Sequence, residues 1–471
     1  MNQEIKQNVL NGLQQCSVQR AEQTPTKPNS ALLFALLVGL LMSGFTPLSA
    51  TIDGVLAGAA YAEEAPAKKQ KTRRVPSLSE PVYKKLGEAQ EAIDLKDYAT
   101  ATKVIQDALA RSRRYNENEV ANLHNTMGYI HYLKEDYDSA LREYKIVVAQ
   151  GEKIPEGLET TTLYTVAQLS FVQGNYDDAL KYMEIWISKA QNPSAEPRFF
   201  MATVYYTKKD YDKAIVQMEL GMQIARERGT TIKEQNWALL TFLYFEKEDW
   251  PNVITNLQIM VELFPKREHW VRLAGVYGQE GFEKEQMYTL EAAYTAGFFE
   301  QRTDYTNLAG LLMQEEVPYR AAKVLAAGFK AEAMERDAKN LQSFGQAWQL
   351  AQEVDDAIEA YEEAATLADD GKIFERLSYL YLEDDQFGRC VDAASGALDK
   401  GGLRKPQSVH IVKGMCLFNQ DKLSNARTAF VQCRRVARSD EDKTNQRVCG
   451  QWITYIDRET QRLEALARAS G

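Results

Sequence analysis

The sequence has little of the residues that interrupt regular structure. Its 471 residues include only 13 prolines and 27 glycines. Because clusters of these residues mark turns and loops, long irregular stretches should be few. The hydrophobic fraction of 45% and the charged fraction of 26% are typical of soluble globular chains. The sequence therefore predicts a folded chain that is built mainly from regular elements.

Features that would mark nucleic-acid binding or catalysis are also missing. The chain has 56 basic and 66 acidic residues, whereas nucleic-acid binding requires a basic face that neutralises phosphates. No phosphate-binding loop, dinucleotide fingerprint, nucleophile elbow or zinc-protease motif occurs. The 4 histidines are too scattered to form a metal cluster. We therefore expect no nucleic-acid partner, no catalytic residue, no metal and no cofactor.

Long apolar runs are absent except near the N-terminus. Ala31 to Phe45 is apolar, basic residues precede it, and Ala60-Tyr61-Ala62 follows it. This order is typical of a secretory signal, so residues 1–62 are predicted to direct export to the periplasm. Cleavage is predicted after Ala62, with Leu48-Ser49-Ala50 as the second choice. The alternative is an uncleaved anchor that tethers the protein to the inner membrane.

A basic run, Lys68–Arg74, follows the predicted cleavage site. Basic clusters are attracted to anionic lipid, so this run could provide peripheral membrane contact or bind an acidic partner. The alternative is a solvated tail. Residues 63–81 are accordingly assigned to a basic, flexible linker.

From about Val75 onward the sequence predicts helices, and a short phrase recurs in them. The phrase is an aromatic or apolar residue, two variable residues and then, in most copies, a small residue. Its final residues are Ala101, Ala140, Ala179, Ala214, Val253, Gln286, Ala321, Ala357, Cys390 and Ala426, at spacings of 33 to 39 residues.

The phrase resembles the tetratricopeptide repeat, a helix-turn-helix unit with a period of 34 residues. A second small residue occurs twelve positions before the final one in most copies, where two helices would cross closely. These residues are Gly128, Ala167, Ala202, Ala274, Ala309, Gly345 and Gly414. The pattern predicts an all-α, right-handed superhelical solenoid of about ten repeats over residues 82–439. Residues 440–471 are predicted to form a polar-backed capping helix.

The first helix of each repeat is expected to line a concave groove that captures proteins. Its groove positions in repeats two to five are rich in aromatic residues, which suit peptide binding because they bury area at low entropic cost. The predicted partner-binding residues are Tyr129, Tyr132, Tyr164, Phe171, Phe199, Tyr206, Phe242 and Phe245. The alternative is that several of these rings pack between adjacent first helices.

The cysteines after the predicted cleavage site all lie near the C-terminus. An oxidising compartment permits disulfides, and Cys433 ends a second helix while Cys449 lies in the next helix, so these two could bond. Cys390 occupies a small-residue core position, where a buried thiol is expected. No pair has the close spacing of a zinc site.

Four stretches resemble a family of proteobacterial periplasmic tetratricopeptide proteins that are described as components of TonB systems. They are Lys71–Leu78 with Val82-Tyr83, Trp270–Tyr277, Val317–Leu325 and Lys400–Pro406. The similarity covers roughly residues 70–460.

The resemblance implies association with the TonB–ExbB–ExbD transducer, which energises uptake of iron–siderophore complexes. The leading hypothesis is a non-catalytic periplasmic scaffold that binds this complex or an outer-membrane transport protein. The alternatives are an envelope-assembly adaptor for polysaccharide export or peptidoglycan machinery, and an enzyme.

Overall fold

The computed structural model describes residues 73–470, which form twenty-one α-helices and no strand. The all-α fold class is as predicted. The predicted signal segment and the linker up to residue 72 lie outside the described residues. Within residues 73–470, no helix combines the length and apolarity that crossing a bilayer requires.

The chain divides into two compact units within α10, after Asn256. The first unit holds α1 (Glu80–Asp94), α2 (Tyr98–Leu109), α3 (Glu117–Leu133), α4 (Tyr137–Val148), α5 (Glu156–Val172), α6 (Tyr176–Lys189), α7 (Glu196–Thr207), α8 (Tyr211–Glu227), α9 (Glu234–Glu246) and the start of α10 (Trp250–Leu263). Odd-numbered helices are the first helices of the predicted repeats.

The second unit holds the rest of α10 and eleven further helices. They are α11 (Arg267–Gln279), α12 (Glu283–Thr295), α13 (Arg302–Gln314), α14 (Pro318–Lys330), α15 (Ala338–Leu350), α16 (Val354–Leu367), α17 (Lys372–Glu383), α18 (Phe387–Lys400), α19 (Pro406–Asn419), α20 (Leu423–Ser439) and α21 (Lys443–Ser470). Pro318 occupies the first turn of α14, where a missing N–H costs nothing.

The turn inside every pair contains one residue with positive φ. These residues are Lys96, Glu135, Gly174, Lys209, Glu248, Gly281, Glu316, Gln352, Asp385 and Asp421. Their spacing matches the spacing of the recurring phrase, residue for residue. The sequence period is therefore the period of one repeated turn.

Repeat two shows how this turn closes. After the left-handed residue Glu135, the N–H of Asp136 donates to the carbonyl of His131 at 2.9 Å, which satisfies a carbonyl at the end of α3. The Asp136 carboxylate then accepts from the N–H of Ser139 at 3.1 Å and caps α4. One turn thus ends the first helix and starts the second.

Aromatic rings of second helices cover the small residues of first helices. A Cβ placed on Gly345 would lie 2.9 Å from Tyr361, and one placed on Gly414 would lie 2.7 Å from Phe430. Only a hydrogen fits at these crossings. The small-residue pattern therefore reports close helix packing, as predicted.

Candidate protein-binding surface

The same turn brings two aromatic rings together in successive repeats of the first unit. The first ring lies in the last turn of a first helix, and the second ring opens the following helix five residues later. The ring centroids are 5.8 Å apart for Tyr132–Tyr137, 5.7 Å for Phe171–Tyr176, 6.2 Å for Tyr206–Tyr211 and 5.3 Å for Phe245–Trp250. These distances are typical of favourable aromatic pairs.

Two of these pairs also contact the next first helix. The Phe171 ring on α5 lies 5.8 Å, edge to face, from Phe200 on α7. The Tyr206 ring on α7 lies 5.5 Å, edge to face, from Phe242 on α9. Repeats three, four and five are therefore joined by rings.

We call this set the aromatic row. It consists of Phe171, Tyr176, Phe200, Tyr206, Tyr211, Phe242, Phe245 and Trp250. Every member is half-buried, so each ring both packs and keeps accessible surface. Burial raises the pKa of Tyr206 and of Tyr211 above the usual tyrosine value, which keeps both hydroxyls neutral. The row offers flat apolar faces with neutral polar tips.

The other predicted groove residues lie elsewhere. Tyr129 packs on the apolar cluster of α1–α3. Tyr132 pairs with Tyr137 outside the row, and Tyr164 lies 5.4 Å from Trp186 on α6. All three are half-buried. The alternative that rings pack between helices therefore applies to part of the predicted groove residues. Of these residues, only Phe199 is fully buried.

The prediction for Phe199 is wrong. This side chain is only 5% exposed, because Gly221 on α8 leaves room for its ring. A Cβ on Gly221 would lie 2.5 Å from that ring. The next residue, Phe200, is rotated by about 100° around the helix axis. Its side chain therefore occupies the surface position instead.

The predicted strip omitted several members of the aromatic row. Tyr176, Tyr211 and Trp250 begin the recurring sequence phrase and were treated only as markers of the repeat. The signal that could have found them is the five-residue spacing to Phe171, Tyr206 and Phe245 across the turn.

The end of the predicted linker is held against the helices. The Arg73 guanidinium donates to the carbonyl oxygens of Gly151 and Ile154, at 3.3 and 3.1 Å, and to the Glu159 carboxylate at 2.8 Å. The Asn118 amide donates to the carbonyl of Pro76 at 2.8 Å. A flexible linker is therefore wrong for these residues, and Arg73 is not free to bind lipid.

Removing this contact should loosen the start of α5. Arg73→Ala leaves the carboxylate of Glu159, which is 3% exposed, with Lys189 as its remaining cation at 3.1 Å. Because hydrogen bonds to charged groups contribute about 1.5–3 kcal/mol, amide exchange over residues 151–163 should quicken roughly tenfold or more. Hydrogen-exchange mass spectrometry measures this. Arg74→Ala, at the exposed neighbour, is the control, and equal rates in both variants would contradict the assignment.

The cysteines near the C-terminus are paired. Cys433 on α20 is bonded to Cys449 on α21, with the Cα atoms 6.1 Å apart, and Cys390 on α18 is bonded to Cys416 on α19, at 6.2 Å. Both separations lie in the usual disulfide range. The free thiol expected at Cys390 is therefore wrong. Its core position is fully buried, as expected, but its buried neighbour on the first helix of the next repeat is a second cysteine, Cys416.

Residues that could hold a metal are not grouped. Within the range 73–470, no cluster of three or more histidine, cysteine, aspartate or glutamate side chains has the arrangement of an ion site. The described polar groups instead link helices to one another, as Lys145 does with Asp178 at 2.6 Å.

The known proteins that this chain resembles are solved structures of tetratricopeptide repeat proteins. No protein-family model matches the chain, and neither does any curated protein. A tetratricopeptide repeat protein from Parabacteroides merdae is 14% identical over 64% of this chain and 99% of its own, with a TM-score of 0.33. The C-terminal part of a TPR repeat-containing protein from Cytophaga hutchinsonii is 14% identical over 60% and 95%, with a TM-score of 0.34.

A third similar structure is the TPR2AB domain of yeast Sti1 in complex with pHSP90. It is 12% identical over 64% of this chain and 99% of its own, with a TM-score of 0.24. The assignment of repeats and of the surface therefore rests on the geometry of this chain.

Proposed function

We propose that the protein is a non-catalytic periplasmic scaffold that binds a segment of the TonB–ExbB–ExbD complex, or of an outer-membrane transport partner, in iron–siderophore uptake. The observation that carries the binding role is the aromatic row. Its eight half-buried rings present a surface that extends through three repeats of one compact unit.

The chemistry of the row favours extended, proline-rich segments. Such segments hold a preformed polyproline II conformation, lose little entropy on binding and dock on aromatic-lined surfaces. The paired rings of the row restrain one another. Neither the row nor the bound segment would therefore lose much conformational entropy on binding.

The cysteine pairing supports export. Disulfides persist in the periplasm and are rare in the reducing cytosol, and all four cysteines among the described residues are bonded. The predicted signal segment, residues 1–62, supports the same location.

The test uses a deletion strain that is complemented by variants. Tyr206→Leu/Phe242→Leu keeps a large apolar side chain at two half-buried positions, so folding should survive, but two ring faces are lost. We expect growth on siderophore iron to fall to the level of the deletion strain, and crosslinked transducer proteins to be lost from the purified scaffold. Tyr288→Leu, which changes a 57% exposed ring on α12, is the control and should grow normally.

Two results would reject the proposal. The first is unchanged growth of the deletion strain together with no transducer protein among the crosslinked partners. The second is the recovery of polysaccharide synthases or murein enzymes instead, which would identify the protein as an envelope-assembly adaptor.

A further inference from the structure

The last helix, α21, has the register of a first helix, but it continues to Ser470 past position 457, which lies 36 residues after the turn residue Asp421. Gly450 lies 36 residues after Gly414, and Gly414 is the small residue of the first helix in repeat ten. The residue Glu441 before α21 has φ of 55° and the preceding helix pair is complete. α21 therefore begins an eleventh repeat.

Glycines at this register are elsewhere covered by a ring from their own second helix. Tyr144 covers Gly128, Tyr361 covers Gly345 and Phe430 covers Gly414, with an added Cβ meeting each ring at 2.7 to 2.9 Å. A Cβ added to Gly450 would meet nothing within 4 Å. Among the residues that the structure describes, no ring covers Gly450.

The surface around Gly450 has a different chemistry from its counterpart one repeat earlier. Ile411, Met415 and Phe418 on α19 pack on the apolar cluster that includes Phe430 and Ile453. The residues 36 positions later are Arg447, Gln451 and Thr454, and all three are exposed. The face is therefore open but basic and polar.

The charges of this face are available to a partner. Arg447 and Arg458 have no carboxylate partner among the residues that the structure describes. The nearby carboxylates are engaged: Asp457 accepts from Arg427 at 2.7 Å and Glu459 pairs with Arg462 at 2.5 Å. Tyr455, 51% exposed, flanks the glycine. We call Arg447, Gly450, Gln451, Thr454, Tyr455 and Arg458 the terminal face.

We propose that the terminal face docks an acidic amphipathic helix of a partner protein, which places an aromatic ring over Gly450. The register of Gly450 leaves room for a ring like those that cover Gly128, Gly345 and Gly414. The two arginines without a carboxylate partner favour acidic residues beside that ring. This surface lies in the second unit and is independent of the aromatic row and of the partner proposed for it.

The chain contains a helix with these properties. α16 carries Asp355, Asp356, Glu359, Glu362 and Glu363, and its Tyr361 covers Gly345. A labelled peptide of residues 353–368 is therefore a suitable probe of the terminal face. A peptide of residues 423–438 from α20 is the matched control, because it carries Phe430 but is basic.

The experiment titrates the full chain into each labelled peptide and measures fluorescence anisotropy. We expect the acidic peptide to bind, its Tyr361→Ala version to bind at least tenfold more weakly, and the basic peptide not to bind. Arg447→Glu/Arg458→Glu should weaken binding about tenfold or more at low salt, because both charges are reversed.

Gly450→Leu should abolish binding by filling the place of the ring. Gly310→Leu is the control, since Gly310 is also a helical glycine with open space around an added Cβ, and this variant should bind normally. No binding by the acidic peptide, or binding that Gly450→Leu leaves unchanged, would overturn the proposal. So would sedimentation velocity that shows a dimer of this chain broken by Gly450→Leu, because the face would then be a contact between copies.

Discussion

Reduction of the two disulfides is expected to lower the free energy of unfolding of repeats nine and ten by about 3 kcal/mol per bond. The bonds close loops of 26 and 16 residues, and loop-closure entropy in the unfolded chain gives this magnitude. Guanidinium denaturation, with and without reductant, measures the effect on the full chain. Because repeat arrays need not unfold in one step, amide exchange in α18–α21 assigns the loss to this region.

The control is a variant in which the four bonded cysteines are replaced by alanine. It should unfold like the reduced protein, and reductant should not change it further. Equal denaturation midpoints for the oxidised and reduced wild-type chains would show that the bonds add no stability.

Replacing Asp304 is expected to destabilise the second unit by about 3–5 kcal/mol. The Asp304 carboxylate, whose side chain is 3% exposed, bridges α13 to α11 by accepting two hydrogen bonds from Arg267, at 2.8 and 2.6 Å. It also accepts from the N–H groups of Glu300 and Gln301. Asp304→Ala leaves Arg267, which is mostly buried, without its carboxylate, and breaking one partner of a buried pair carries this cost.

The matched control is Asp457→Ala. The Asp457–Arg427 pair has the same chemistry, but its side chains are 42% and 47% exposed. Solvent screens this pair, so the loss of stability should be much smaller than for Asp304→Ala. Denaturant unfolding of each variant, with amide exchange over α11–α13, measures the difference. Similar losses in both variants would contradict the role of burial.

The contribution of Asp304 should also depend on pH. Burial raises the pKa of Asp304, but the Arg267 hydrogen bond and the two backbone N–H groups outweigh burial and lower the pKa overall. A carboxylate with a lowered folded pKa stabilises the fold above its unfolded pKa of about 3.9 and loses this contribution as the pH falls further. The stability gap between wild type and Asp304→Ala should therefore be full near pH 6 and shrink below about pH 4.

The repeat register was predictable because every repeat contains the same local turn, and this turn requires particular residues at fixed positions. The left-handed residue, the cap that follows it and the small residue after one turn of helix recur together, as in Glu135, Asp136 and Ala140. Such local signals need no knowledge of distant contacts. The same local chemistry allows Pro318 in the first turn of a helix, where no partner for its missing N–H is needed.

What could not be predicted depends on contacts between elements. The burial of Phe199 is set by Gly221, twenty-two residues later, and the bond of Cys390 depends on the position of Cys416 in the next helix. The attachment of Arg73 to Glu159 spans 86 residues. The sequence period does not depend on these pairings, so the sequence predicted the helices and their turns more reliably than the orientation of each side chain.

The disulfides also bear on how the chain would respond to tension. If the chain is pulled at two points on either side of the repeats, its helices would extend one pair at a time. The two bonds close separate loops, so the stretches between their cysteines, about 40 residues in all, cannot lengthen while the bonds last. At about 3.5 Å per extended residue, the two bonds shorten the fully extended chain by roughly 140 Å. The two closed loops would therefore lengthen less under tension than the repeats that carry no disulfide.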